Sequence, residues 1–378
     1  MPFKIPGWGG LKSSPQTAGT QTPQPDASAQ PLPPQNVPVT FTTSGTQKVA
    51  LLLPLTGRGN DVGEAMMNAA QLAMVDLGAT NFELMSRDTS GTPEVARSAA
   101  DQAIKDGASL ILGPLFAEDT KAVSPMASQS NVNVISFSTD SSVVSNNTFI
   151  LGFLPQSQIA RVIDFAMTRG QKQIALIAPR DSYGDIAARA FGSVMSSRGN
   201  ATPVIVRYTG SKPTAQDTAI LKSTGVNAVI IATNGSVANS ISGQLNEMGL
   251  TQDKVVRLGT GLWDQSDVAK LSNLQGAFYA ASSPTSRTRF EKKYRETYGV
   301  TPPRLASLGY DAVALAVVLQ KSGRGFARDA LLNPNGFAGV DGIFRFRADG
   351  LNERGLAVMT IQNGTAQIVQ DAPKSFLK

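Results

Sequence analysis

Residues Lys48-Val-Ala-Leu-Leu-Leu-Pro-Leu-Thr-Gly57 form an apolar run that stops at proline, threonine and glycine and gives way to a helical pattern. The layout recurs as Gln173-Ile-Ala-Leu-Ile-Ala-Pro-Arg-Asp181 and again as Ala228-Val-Ile-Ile-Ala-Thr-Asn-Gly235. A strand that is apolar on both faces belongs in the middle of a parallel sheet covered by helices. In such sheets ligands sit just beyond the carboxyl ends of the strands. The small and polar residues closing each run are therefore the first candidates for a binding site.

Outward from that run, strands and helices alternate. Strands are expected at 49–53, 82–86, 109–114, 133–137 and 149–153, with helices over 62–77 and 93–106. Proline at the first turn of the second helix fits its fixed φ. A second cycle follows, with strands at 174–178, 203–208, 228–232 and 255–259 and helices at 158–168, 186–197, near 215–223 and at 237–248. Two successive βα series imply an α/β protein of two doubly wound, Rossmann-like lobes; a closed βα barrel is the alternative. Residues 1–46 are a different regime, holding nine of the 22 prolines with Gln, Thr and Ser between them. Such a segment buries too little apolar surface to offset chain entropy and is expected to be a disordered tether. It suits a globular part held away from a membrane or wall, or it is an inert tail.

At 378 residues, 41% hydrophobic and 16% charged, the chain has material for two buried domains. It contains no Cys and no His. That removes disulfides, thiolate nucleophiles, Cys-ligated zinc, His-based triads and imidazole metal ligands. Ser/Lys, carboxylate or tyrosine-based catalysis is what remains; with so few nucleophile–base pairs left, a non-catalytic protein with no cofactor and no metal is expected. The net charge of +6 and pI near 9.5 raise the question of nucleic acid. The densest basic cluster, Arg287, Arg289, Lys292, Lys293 and Arg295, is interleaved with Glu291 and Glu296 and reads as a solvated helix face. No nucleic-acid partner is expected. No apolar run approaches the ~18–20 residues that span a bilayer, and residues 1–10 lack a signal-peptide core. The start as given would leave the chain cytoplasmic, unless it is a processed or trimmed one.

Gly57-Arg-Gly59-Asn-Asp-Val-Gly63 stands where a dinucleotide fingerprint would lie, but Val62 occupies the third glycine position. Thr56, Gly57 and Arg58 instead read as the strand end that faces a ligand. Leu112-Gly-Pro-Leu-Phe116 and Ser136-Phe-Ser-Thr-Asp140 also close strands with small or hydroxyl residues. Ser138 and Thr139 can donate hydrogen bonds there, or cap the helix that follows. Tyr183 and Trp263 follow other strand ends, where an aromatic either packs in the core or forms a ligand platform.

In this order the motifs resemble a family: the type I periplasmic binding proteins of the leucine/isoleucine/valine-binding kind. The resemblance rests on Leu51-Leu-Leu-Pro-Leu-Thr-Gly57, Arg87-Asp-Thr89, Leu112-Gly-Pro-Leu115, Ile135-Ser-Phe-Ser-Thr-Asp140 and Tyr183-Gly184. Phe290-Glu-Lys-Lys-Tyr-Arg-Glu-Thr-Tyr-Gly299 and Gly309-Tyr-Asp-Ala-Val-Ala-Leu315 complete it. It covers about 47–370. The opening motif and the Pro-rich tether also resemble penicillin-binding-protein activators, outer-membrane lipoproteins that contact a peptidoglycan synthase; the lipidated Cys of that group is absent.

The resemblance implies lobe 1 at 47–153 plus 284–345 and lobe 2 at 154–283 plus 346–372, hinged by crossings near 153–156, 280–284 and 345–348. It implies a periplasmic protein that traps a ligand by hinge closure. Carried over residue by residue, the first-lobe site is Leu115, Phe116, Ala117, Ser138 and Thr139, with Tyr183 on the second lobe; Asn234 and Trp263 are expected to close with it. Three positions depart from the pattern. Ala117 replaces a serine, Thr233-Asn234-Gly235 lacks an aromatic, and Gly259-Thr260-Gly261 lacks a carboxylate. An ammonium without a counter-charge is costly to desolvate. The reading is a solute-binding protein that captures a small polar or amino-acid-like ligand for an ABC permease. The rival is an activator of a peptidoglycan synthase with a vestigial cleft.

Overall fold

The computed structural model describes residues 45–199 and 202–377. The tether expected at 1–46 therefore lies outside the described residues except for its last two. Lobe 1 opens with β1 (Gln47–Leu53), α1 (Asn60–Asp76), β2 (Phe82–Asp88), α2 (Pro93–Lys105), β3 (Leu110–Leu112), α3 (Ala117–Gln129), β4 (Asn133–Ser136) and β5 (Thr148–Ile150). Its sheet is parallel throughout, in the order β2-β1-β3-β4-β5. Lobe 2 follows with α4 (Pro155–Thr168), β6 (Ile174–Pro179), α5 (Ser182–Ser197), β7 (Val204–Tyr208), α6 (Ala215–Thr218), α7 (Ile220–Ser223), β8 (Ala228–Ile231), α8 (Gly235–Glu247), β9 (Val256–Gly259) and β10 (Phe278–Ala281). Its parallel strands run β7-β6-β8-β9-β10, so the second sheet repeats the winding of the first.

The alternation along β1 explains why it lies central. Val49, Leu51 and Leu53 belong to a core formed with α1 and α10 (Ala306–Lys321), while Ala50 and Leu52 belong to a separate core under α2 and α3. Side chains alternate across a strand, so an all-apolar run needs cover on both sides. In β6, Ala175 and Ile177 face one core, and Ile174, Leu176 and Ala178 the other. Both strands also end in the same closure. Gly63 of α1 lies so close to Pro54 that an added Cβ would sit 2.0 Å from the proline carbonyl oxygen; for Gly184 of α5 and Pro179 the figure is 1.8 Å. Glycine alone permits that approach of helix to strand end.

After lobe 2, the chain returns through α9 (Pro284–Tyr298) and α10 to pack on α1, then continues through α11 (Arg328–Leu331). A small antiparallel sheet of β11 (Phe337–Gly339), β12 (Gly342–Phe346) and β13 (Asn352–Arg354) follows. The hairpin β14 (Ala357–Gln362) and β15 (Thr365–Gln370) then adds to β10 as an antiparallel edge of the second sheet. These five short strands are not anticipated from sequence. The helix expected near 215–223 is two turns, the first closed by a reciprocal capping box of Thr214 and Asp217. Helix α5 starts at Ser182 rather than 186, because the Asp181 carboxylate accepts the Gly184 N–H at 2.8 Å and caps it.

The two lobes meet at a buried polar knot. Asn352 Nδ2 donates to the Ile150 and Gly152 carbonyls, and Arg354 Nη2 to the Leu151 carbonyl, tying β13 to the end of β5 and the residues after it. Arg304 pairs with buried Asp341 at 2.8 Å, lies 4.2 Å from the centre of the Phe153 ring, and reaches Ser282 and Asp264. Asp311 is buried as well, and burial together with the neighbouring Asp341 pushes its carboxyl up to about 7. Burial also opposes ionisation of Asp341, but the Arg304 guanidinium outweighs it and holds that carboxyl low.

Candidate ligand cleft

The equivalent strand order in the two sheets places a topological switch point between β1 and β3 and another between β6 and β8, where the loops diverge and leave a crevice. In lobe 1 the loops after β1 and β2 are held by one carboxylate. Asp88 accepts the Leu55 N–H at 2.9 Å, the Thr56 N–H at 3.1 Å, the Thr56 hydroxyl at 2.5 Å and the Ser90 N–H at 2.8 Å. Desolvation raises its pKa, but these donors prevail and bring it down to about 2. Thr56, Gly57 and Arg58 are exposed at this rim, and the Arg58 guanidinium stacks 3.8 Å from the centre of the Phe116 ring.

Leu115 is buried in the first-lobe core, and Ala117 begins α3 with no hydroxyl to offer. Ser138 is 4% exposed, and its Oγ accepts the Asp140 N–H at 3.0 Å. Thr139 faces the other lobe. With Ser141 it lines a cavity of about 200 Å³ whose opposite wall is Gln156, Ile186, Arg189 and Ser193 of α4 and α5.

On lobe 2, Tyr183 lies in the first turn of α5 and shares a 2.9 Å hydrogen bond with the Thr260 hydroxyl. Burial pushes its phenol up to about 12, against the lowering by that bond. Asn234 is exposed, with Oδ1 accepting the Val237 N–H at the start of α8. Trp263 does not reach the cleft. A single 3₁₀ turn over Gly261–Trp263 folds it back into the lobe-2 core, where it is 1% exposed, its indole N–H donates to the Thr233 carbonyl, and it packs on Tyr279. The structure thus brings Thr56, Gly57, Arg58 and Phe116 together, puts Thr139 against α5, and withdraws Trp263.

Three acids escape sequence reasoning. Asp264 is paired with Arg287, with one bond at 3.2 Å, and lies 3.8 Å from Arg304. Asp88 is the organiser of the rim. Asp119, in the first turn of α3, is fully buried with neither oxygen hydrogen-bonded; burial pushes it up to about 6, against the pull of Arg58. Asp88 stands in a stretch that sequence reading marks and Asp264 directly after Trp263, but the groups that hold them lie on other elements; Asp119 lies in no such stretch. Among the described residues no group of three or more acids could hold a metal ion, and no helix is long and apolar enough to cross a membrane.

Replacing Asp88 by Asn keeps the shape and removes the charge. It is expected to cost about 1–2 kcal/mol at neutral pH, below the about 1.5–3 kcal/mol typical of hydrogen bonds to a charged group because the site is partly exposed to solvent. Because the folded pKa is depressed, the carboxylate's contribution is complete above its unfolded pKa of about 4 and fades as pH falls through 2. Denaturant midpoints of the two proteins should therefore converge between pH 5 and 2; a constant gap would remove the carboxylate from this role.

The comparisons with known proteins agree with this geometry. Penicillin-binding protein activator LpoA of Pantoea ananatis is 27% identical over 131 residues, covering 34% of this chain and 19% of that protein. The chain spans less than half the length of the curated relatives it matches first. Among solved structures, a putative branched-chain amino acid ABC transporter protein of Rhodospirillum rubrum aligns with a TM-score of 0.76 at 20% identity, over 86% of this chain and 100% of that one. The C-domain of Haemophilus influenzae LpoA, a regulator of PBP1A, aligns at 0.68 and 17% identity, over 85% and 100%. Both of these solved structures share the two-lobed α/β architecture. With the periplasmic binding protein profile matching residues 46–366, the chain belongs to that family, in its type I, leucine-binding class.

Proposed function

We propose that this protein is a non-catalytic periplasmic regulator that activates a peptidoglycan synthase, and that its cleft does not capture amino acids. One observation carries the reading: Asp264, the carboxylate that follows the β9 end on lobe 2, is already committed to Arg287 and Arg304. A ligand ammonium entering here would lose its hydration without gaining a counter-ion. Asp88 and Asp181 are likewise engaged by backbone N–H groups. The similarity to LpoA supports the same assignment.

A second reading has a specific observation behind it. Arg58 on Phe116 and Arg189 in the inter-lobe cavity are two exposed guanidiniums that form no ion pair among the described residues. They favour a small carboxylate without an ammonium as transport cargo. Two measurements separate the readings: binding of the periplasmic region of the organism's PBP1A-type synthase, and thermal shift with the amino acids and a panel of aromatic and aliphatic carboxylic acids. A true cleft ligand at a hundred times its dissociation constant adds about 2.7 kcal/mol of stability. The regulatory reading expects synthase binding and no such shift; saturable stabilisation by a carboxylic acid without synthase binding would replace it with the second, and by an amino acid would overturn both.

A further inference from the structure

Helix α10 is apolar around almost its whole circumference, and a helix of that kind is normally covered on all sides. One stripe is not. Tyr310, Ala314 and Val318, four residues apart, open onto a groove of about 730 Å³ on the outer flank of lobe 1, where Val318 is 47% exposed. Phe290 of α9 and Phe337 of β11 continue its apolar floor. The groove's rim carries Arg289 and Arg324, both exposed and in no ion pair among the described residues. The single acid in its wall, Asp76, is taken by Lys293 and by the Tyr310 hydroxyl. An apolar trough flanked by unpaired guanidiniums is complementary to a segment with an apolar face and carboxylates beside it. Aromatic and arginine side chains are also those that anchor protein interfaces.

We propose that this groove, rather than the cleft, docks an acidic, apolar-faced segment of a protein partner, which on the regulatory reading above is the synthase. Exposed apolar ground rimmed by polar residues is characteristic of such surfaces. The groove lies on α1, α9, α10 and β11, all on one lobe, so docking there needs no lobe closure.

The test compares the full chain with three variants in equilibrium binding to the purified periplasmic region of the PBP1A-type synthase. Val318→Asp and the double variant Arg289→Glu with Arg324→Glu alter only exposed side chains of the groove. Ile220→Asp removes a comparably exposed apolar side chain on lobe 2, 48% accessible, and serves as control. Each groove variant should weaken binding by about ten-fold or more, as loss of an interface anchor does, with the control within about two-fold and all melting temperatures near that of the parent. Parent-like binding by both groove variants would overturn the groove while leaving the regulatory reading intact. Failure of the parent chain to bind would overturn the regulatory reading and this proposal together. Loss of binding to anionic phospholipid vesicles in the groove variants, with synthase binding unchanged, would assign the groove to a membrane surface and also overturn it.

Discussion

Replacing Arg304 by Met is expected to destabilise the protein by about 3–5 kcal/mol, because removing one partner of a buried ion pair strands the other. Asp341 is fully buried and would lose its 2.8 Å partner, leaving it beside Asp311 with only Arg354 to offset two carboxylates. Methionine keeps an unbranched apolar side chain but loses the guanidinium, which lies 4.2 Å from the centre of the Phe153 ring, so the loss includes that contact as well as the ion pair. The sign of the pH dependence follows. Without Arg304, the Asp341 carboxyl binds a proton more tightly in the folded than in the unfolded chain. Stability of the variant then rises as pH falls toward the unfolded pKa of about 4. The deficit should be largest at alkaline pH and shrink in mild acid. Chemical denaturation between pH 8 and 5 measures it, and a deficit that widens in acid would refute the assignment.

Gly184→Ala should follow Arg304→Met closely in the damage it does. The new methyl would lie 1.8 Å from the Pro179 carbonyl oxygen, a backbone atom with no room to swing aside, so α5 must lift off the end of β6. Overpacking of this sort costs about 1–3 kcal/mol, sometimes more. The same helix supplies its own control. Gly192, mid-helix with nothing within 4 Å of its added Cβ, should gain about 0.5–1 kcal/mol on conversion to alanine. Two alanines in one helix, with opposite signs, distinguish a steric closure from helix propensity. Gly63→Ala in lobe 1 should behave like Gly184→Ala, and the pair should add to within about 0.5 kcal/mol because the sites are far apart. Thermal and denaturant unfolding of the single and double variants measure these differences. Equal effects at Gly184 and Gly192 would dismiss the closure.

Most of the fold was legible because local pattern and burial coincide. The central strands β1, β3, β4, β6 and β8 are short, apolar and punctuated, and their cover on both faces follows from side-chain alternation. The β11–β15 strands carry no such signal. Three are three to five residues long, and β15 is exposed throughout, an edge strand stabilised by pairing with β14 rather than by an apolar face of its own. For the site, strand ends revealed where to look but not which way side chains turn. Trp263 and Tyr183 both follow strand ends; a single 3₁₀ turn sends the first into the core, while a capped helix start holds the second against Thr260. The commitment of Asp264 depends on arginines 23 and 40 residues further along, a pairing invisible without the fold.

The route of the chain has a consequence for how the protein is made. The core that holds Val49, Leu51 and Leu53 is completed by Leu308, Val313, Phe337, Phe344 and Phe346. These residues leave the ribosome or the export channel only after the whole parallel sheet of lobe 2, β6 to β10, has emerged. Domains ordinarily fold in the order in which they are synthesised. Here the first-made lobe must wait with its central strand half covered, while the second-made lobe has its five parallel strands and lacks, of its buried core, only Leu356 and the β14 residues Ala357, Met359 and Ile361. Nascent chains arrested once residue 300 has cleared the ribosome should therefore resist protease across 155–281 and remain open to it across 47–150, an inversion of the usual N-to-C order of maturation.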